Sequence, residues 1–148
     1  MKTPTLEDLD VMARTLWGEA RGEGLAGMRA VAHVIMNRVT DARWPNSIAA
    51  VCKQPYQFSC WNVADGTAAG AQSQANELRK VTFRDLFIAM VYPMAVQVAA
   101  EFNSVDPTGR ANHYLRTDLL WSGQAPTWAN PQHITAVIGN HTFLNIPA

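Results

Sequence analysis

Residues 5–24 read TLEDLDVMARTLWGEARGEG, and the way this stretch begins, repeats and stops decides the fold class. Thr5 followed by Asp8 is a capping box that opens a helix. Leu6, Leu9, Ala13, Leu16 and Ala20 then recur at helical spacing. Gly18, Gly22 and Gly24 crowd the far end, so the helix is expected to stop around 21–24. One stripe of this helix runs Leu9, Met12, Leu16, Glu19, Glu23, so a carboxylate continues an otherwise apolar face. Side chains four apart are neighbours on a helix, which pairs Glu19 with Glu23 if the helix reaches that far. A carboxyl among apolar groups and beside a second carboxylate is biased towards its protonated form, the state a general acid needs. A paired glutamate is equally what a solvated helix face carries, and Arg14, Arg21 and Arg29 are available to neutralise either one.

Beyond this stretch, a second helix is expected over 25–39, with Met28, Val31, Ala32, Ile35 and Val39 on one face. Residues 44–47 (WPNS) form a turn in which Asn46 or Ser47 caps a short helix through Val51. Residues 54–66 read as a loop or small hairpin, and 67–80 as a polar connection that starts a helix near Gln72. Helix returns from Thr82, with Pro93 either kinking it or opening a second helix that ends near Phe102. A turn at 106–109, an extended segment at 113–115 and a loop over 121–131 follow. The tail, 133–146, alternates β-branched residues around a glycine and favours strand. The class is mostly α with a small β element, in one domain over 1–148.

The chain has 148 residues, 48% hydrophobic and 16% charged, with twelve basic and twelve acidic side chains. That length builds a core without metal or disulfide staples. Low net charge with many apolar residues argues against intrinsic disorder, and the balance of charge argues against a nucleic-acid partner. The N-terminus, MKTPTLEDLD, carries acids where a signal peptide carries bases. The most apolar run, 86–100, is too short for a membrane span. The chain is therefore expected to be made in the cytoplasm, to insert into no membrane and to act as a monomer. Cys52 and Cys60 are read as buried free thiols.

Other residues offer chemistry less directly. His33 lies among Ala32 and Val34 and reads as structural. His113, His133 and His141 form no pattern of two histidines on one helix turn, so no metal or other cofactor is assigned. A zinc site built on His113 and His133 is the runner-up. Ser59 and Cys60 lack a nucleophile elbow. Gln57, Phe58 and Trp61, with Tyr56 and Asn62 around them, put ring faces beside amide donors. That suits sugar rings, and it suits a small core as well.

Taken in order, residues 17–23 (WGEARGE), 27–38 (GMRAVAHVIMNR), 57–59 (QFS), 106–109 (DPTG), 113–114 (HY) and 138–143 (IGNHTF) resemble the SleB/CwlJ-type cell wall hydrolases. The resemblance implies a fold similar to goose-type lysozymes and lytic transglycosylases, with peptidoglycan as substrate. It implies Glu19 as the catalytic acid, and Glu23, Gln57, Phe58, Ser59, His113 and Tyr114 as substrate-binding residues. It also implies cleavage of the MurNAc–GlcNAc backbone by a lytic transglycosylase or muramidase. The expected setting is a phage endolysin or a small bacterial cell wall hydrolase, and an N-terminus unlike a signal peptide favours release through a holin-type lesion. The alternative is a zinc-dependent N-acetylmuramoyl-L-alanine amidase. Two departures fall on the expected groove wall: Arg110 replaces a second glycine after DPTG, and His113 precedes Tyr114 where an aromatic pair is usual.

Overall fold

The computed structural model describes residues 2–54, 57–61, 77–103 and 105–148. The expected hairpin and connection over 54–80, with Tyr56, Asn62 and the start near Gln72, lie largely outside these residues.

Helix α1 spans Leu6–Ala20, and both hydrogen bonds of the Thr5–Asp8 capping box are made. Asp8 also accepts a bond from the Ala49 amide, which ties this helix start to α3 (Ile48–Cys52), itself capped by Ser47. The α-helix stops at Ala20 and continues as a 3-10 turn, Arg21–Glu23. Helix α2, Gly24–Val39, follows at once. Thr82 caps α4, Phe83–Ile88. The chain then breaks at Met90, which has φ 65°, and resumes as α5, Val91–Glu101. Pro93 thus sits in the first turn of a new helix, where its missing N–H costs nothing.

Helices α1, α2, α3 and α5 pack around Met12, Leu16, Val31, Ile35, Val51 and Val98. α2 is buried over most of its circumference, well beyond the single face its periodicity suggested, because helices cover one side and a sheet the other. That sheet has the order β1-β3-β2, all antiparallel, with β1 His113–Arg116, β2 Ile134–Ile138 and β3 His141–Leu144. Phe143 and Tyr114 of the sheet meet Ala30 and Val34 of α2. A short helix, α6 (Thr117–Trp121), follows β1 directly. Trp121 is the last residue of this helix and is 83% exposed, so the loop expected over 121–131 begins one residue later. Among the described residues, no helix is long and apolar enough to cross a membrane.

The polar residues of α2 face loops. Asn37 donates to Asp106 and to the Ala111 carbonyl, and His33 Nδ1 stands 3.7 Å from Asp106. Asp106 in turn accepts from Thr108 and from the Arg110 amide, closing a turn in which Gly109 and Arg110 both take φ 66°. His33 is structural, as expected, and its role is to stand behind this turn.

Candidate active site

Glu19 lies one residue from the end of α1, where the helix has run out of core to cover. Its Oε1 accepts the Cys60 backbone N–H at 3.2 Å, and the Ser59 hydroxyl approaches the same oxygen at 3.5 Å. Among the described residues no donor reaches Oε2, which is left for a ligand. The 3-10 turn Ser59–Trp61 that supplies these donors is anchored by the Trp61 indole on Thr15 (2.7 Å) and by Phe58 in the core. Gly18 permits the approach, since a Cβ there would lie 2.7 Å from Cys60 Cβ.

Glu19 borders a cleft of about 590 Å³ shared with Glu23, Arg116, Asp118, Asn140 and His141. The Ser59–Cys60 step borders a second, of about 530 Å³, with Trp17, Arg21 and Leu78. The other two acids of the Glu19 cleft are engaged. Asp118 holds Arg116 through both oxygens. Glu23 Oε2 takes the Asn140 backbone and side-chain N–H groups at 3.4 and 3.5 Å, and Oε1 stands 3.6 Å from His141 Nδ1. Gly27 and Gly139 line this seat. The two glutamates share the cleft, as the stripe suggested, although the α-helix ends between them.

Tyr114 projects from β1 towards α2 and packs against His141 and Phe143. Burial and then the Glu19 charge push its phenol well above the usual value, so a neutral hydroxyl stands near the acid. The Cys60 thiol is pushed up in the same way, by burial first, which keeps it an inert thiol packed on Gly18. Burial likewise raises the Cys52 thiol to about 12.

Two expected sugar-binding residues are corrected. Phe58 is 1% exposed and belongs to the core, so its ring supports the 57–61 segment and meets no ligand. His113 points to the opposite side of β1 from Tyr114, as alternation along a strand requires. Its ring lies against Trp44 and Trp128, centroids 5.8 and 4.8 Å away, with Nδ1 on Asn112 Oδ1. Ser59 remains exposed beside Glu19, and Gln57, two residues before it, is exposed as well. The residues missed at the sequence level are the Cys60 amide, Asn140 and His141. The 138–143 motif was visible, but nothing local linked it to Glu23. Among the described residues no three His, Cys, Asp or Glu side chains group to hold a metal ion.

Burial between the two tryptophans, with the Arg38 and Arg43 charges nearby, pulls the His113 pKa down to about 4. Its unfolded value is about 6.5, so the unfolded chain binds the proton more readily. The stabilising contribution is complete above that value and is lost as pH falls towards 4. After allowance for partial exposure it amounts to about 2 kcal/mol. Urea unfolding at pH 7 and pH 4.5 should show a drop of that order that His113→Gln removes. Equal pH slopes in the two proteins would show that the ring titrates freely.

A family model described as Cell Wall Hydrolase matches residues 22–144, beginning just after Glu19. The chain is 35% identical over 136 residues to the spore cortex-lytic enzyme of Bacillus cereus, covering 92% of this chain and 43% of that one. It is 31% identical to the spore cortex-lytic enzyme of Halalkalibacterium halodurans, covering 93% and 34%. The chain thus spans less than half the length of these relatives. Among solved structures it resembles the catalytic domain of the Bacillus cereus SleB protein, with TM-score 0.69 and 28% identity over 98% of this chain and 94% of that one. The catalytic domain of the germination-specific lytic transglycosylase SleB from Bacillus anthracis gives TM-score 0.61 and 28% identity, with 98% and 99% covered. The mostly helical, lysozyme-like architecture with a small sheet is common to them.

Proposed function

The chain belongs to the cell wall hydrolase family, and from that premise we propose that it cleaves the glycan backbone of peptidoglycan as a lytic transglycosylase, with Glu19 as its single acid and base. The observation that carries this reading is the state of the three acids in the cleft. Glu23 and Asp118 are held by neighbours, while Glu19 is fixed through one oxygen and accepts no hydrogen bond at the other among the described residues. A hydrolase needs a second carboxylate opposite the acid, as nucleophile or as base for water. A transglycosylase recruits its nucleophile from the substrate.

In this mechanism Glu19 Oε2 carries the proton and delivers it to the glycosidic oxygen as the bond from muramic C1 breaks. Positive charge develops at C1 and the ring oxygen. The muramic C6 hydroxyl then closes on C1, and its proton passes to the Glu19 carboxylate, which restores the acid. The product is a 1,6-anhydro sugar, lighter by one water than the hydrolytic product. The Cys60 amide and the Ser59 hydroxyl hold Glu19 in place through both proton transfers. The neutral Tyr114 hydroxyl supplies polarity near the reacting centre without competing for its proton.

Digestion of purified peptidoglycan, with the fragments weighed by mass spectrometry, tests this directly. Anhydro-ended muropeptides are the expected series. Fragments one water heavier would make the enzyme a muramidase, and free stem peptides on uncut glycan would make it an amidase.

A further inference from the structure

Arg38 lies near the end of α2 and is 4% exposed. Its Nε donates to the Asn112 carbonyl at 2.7 Å, and Nη1 donates to Gln57 Oε1 at 3.2 Å. The guanidinium carbon sits 5.4 Å from the Trp44 ring centroid and 5.6 Å from that of Phe58. Among the described residues no carboxylate pairs with it. A buried charge without a counter-ion is costly, and a methionine of similar bulk would fill the space between these rings without that cost. Burial accordingly draws the Arg38 pKa down to about 10.

What the guanidinium joins accounts for its presence. On one side is the 57–61 segment, whose Ser59 and Cys60 hold Glu19. On the other is Asn112, which leads into β1 and Tyr114, the hydroxyl that feels the Glu19 charge. A guanidinium has donors only, so the Gln57 amide must turn its oxygen inward and its NH2 outward. Gln57 is exposed, and among the described residues nothing accepts a hydrogen bond from that NH2, which a ligand carbonyl would meet.

We propose that Arg38 is a positioning residue that clamps the 57–61 segment to the start of β1 and fixes Gln57 as a hydrogen-bond donor to a substrate carbonyl. On the glycan-cleaving reading above, on which this rests, that carbonyl is the N-acetyl group of an amino sugar. A free amine, which is a protonated donor at neutral pH, would meet the Gln57 NH2 donor to donor and be rejected.

Gln57→Glu separates this role from simple packing. It puts a carboxylate against Arg38, which pairs with none among the described residues, and turns the outward donor into an acceptor. Thermal unfolding should then occur at the wild-type midpoint or above it. The ratio of kcat/KM on N-acetylated strands to that on chemically de-N-acetylated strands should fall at least about tenfold, as a lost polar contact requires. Arg38→Met should keep the wild-type midpoint, lower kcat about a hundredfold with a smaller change in KM, and narrow the same ratio, with Arg38→Lys recovering part of it. An unchanged ratio in Gln57→Glu, or wild-type kcat and selectivity in Arg38→Met, overturns the proposal. So does an Arg38→Met protein whose only defect is a lower unfolding midpoint. Wild-type protein that cleaves neither strand overturns the glycan reading itself, and the positioning role with it.

Discussion

Glu19→Gln should slow glycan cleavage by on the order of 10³ to 10⁴-fold, the range in which general acid–base groups act, with the unfolding midpoint within about 3 °C of wild type. The amide has the shape of the acid and keeps an oxygen for the Cys60 N–H and the Ser59 hydroxyl, so the local structure has no reason to change. It has no proton to deliver and no basicity to take one back, so both halves of the mechanism fail together. The loss should appear equally in kcat and kcat/KM, since nothing that binds the ground state is removed. Glu19→Asp retains a titratable group but draws it back from the cleft by one methylene, and should fall between the two. Initial rates of muropeptide release, read beside thermal unfolding, check this. More than a tenth of wild-type kcat in Glu19→Gln would take the proton transfer away from this residue.

The start and end of α1 were legible because they are local: a capping box and a glycine cluster act within one turn. The placement of Glu19 on the apolar stripe was legible for the same reason. What that carboxylate would touch was not, because Cys60 is forty-one residues away and its contribution is a backbone N–H, which every residue but proline has. α2 shows the same limit. His33, Asn37 and Arg38 interrupt its apolar pattern, and each answers a group in a distant loop, Asp106, Ala111, Asn112 or Gln57. Polar residues inside an otherwise buried helix signal that partners exist without naming them. For His113 and Tyr114 the signal was present and stronger. Two adjacent strand residues cannot both face one cleft, so only one of the pair could serve the site. Phe58 gave no such signal, since an aromatic between polar residues fits a groove and a core floor equally well.

The glycines of the first two motifs divide by what surrounds them, and Gly27→Ala should have the largest effect on stability. In the interior of a helix, glycine to alanine ordinarily stabilises by about 0.4–1 kcal/mol. Gly27 is the fourth residue of α2, yet a Cβ there would stand 2.3 Å from Glu23 Cβ, because the 3-10 turn folds Glu23 back over the first turn of the helix. Neither atom is the end of a flexible chain, so backbone must move. The expected cost is about 3 kcal/mol, the upper part of the range for overpacking, which for a chain of this length lowers the unfolding midpoint by roughly 10 °C. The displaced group is Glu23, whose carboxylate is wedged against Gly139, where a Cβ would lie 2.7 Å from Oε2. Activity per folded molecule should therefore fall as well, as Asn140 and His141 lose their partner. Gly22, two residues after Ala20, has nothing within 4 Å of its Cβ direction, so Gly22→Ala should stay within about 0.5 kcal/mol of wild type. Urea unfolding of the two variants side by side decides the matter. If Gly27→Ala is as stable as Gly22→Ala, Glu23 is not held where its contacts with Asn140 place it.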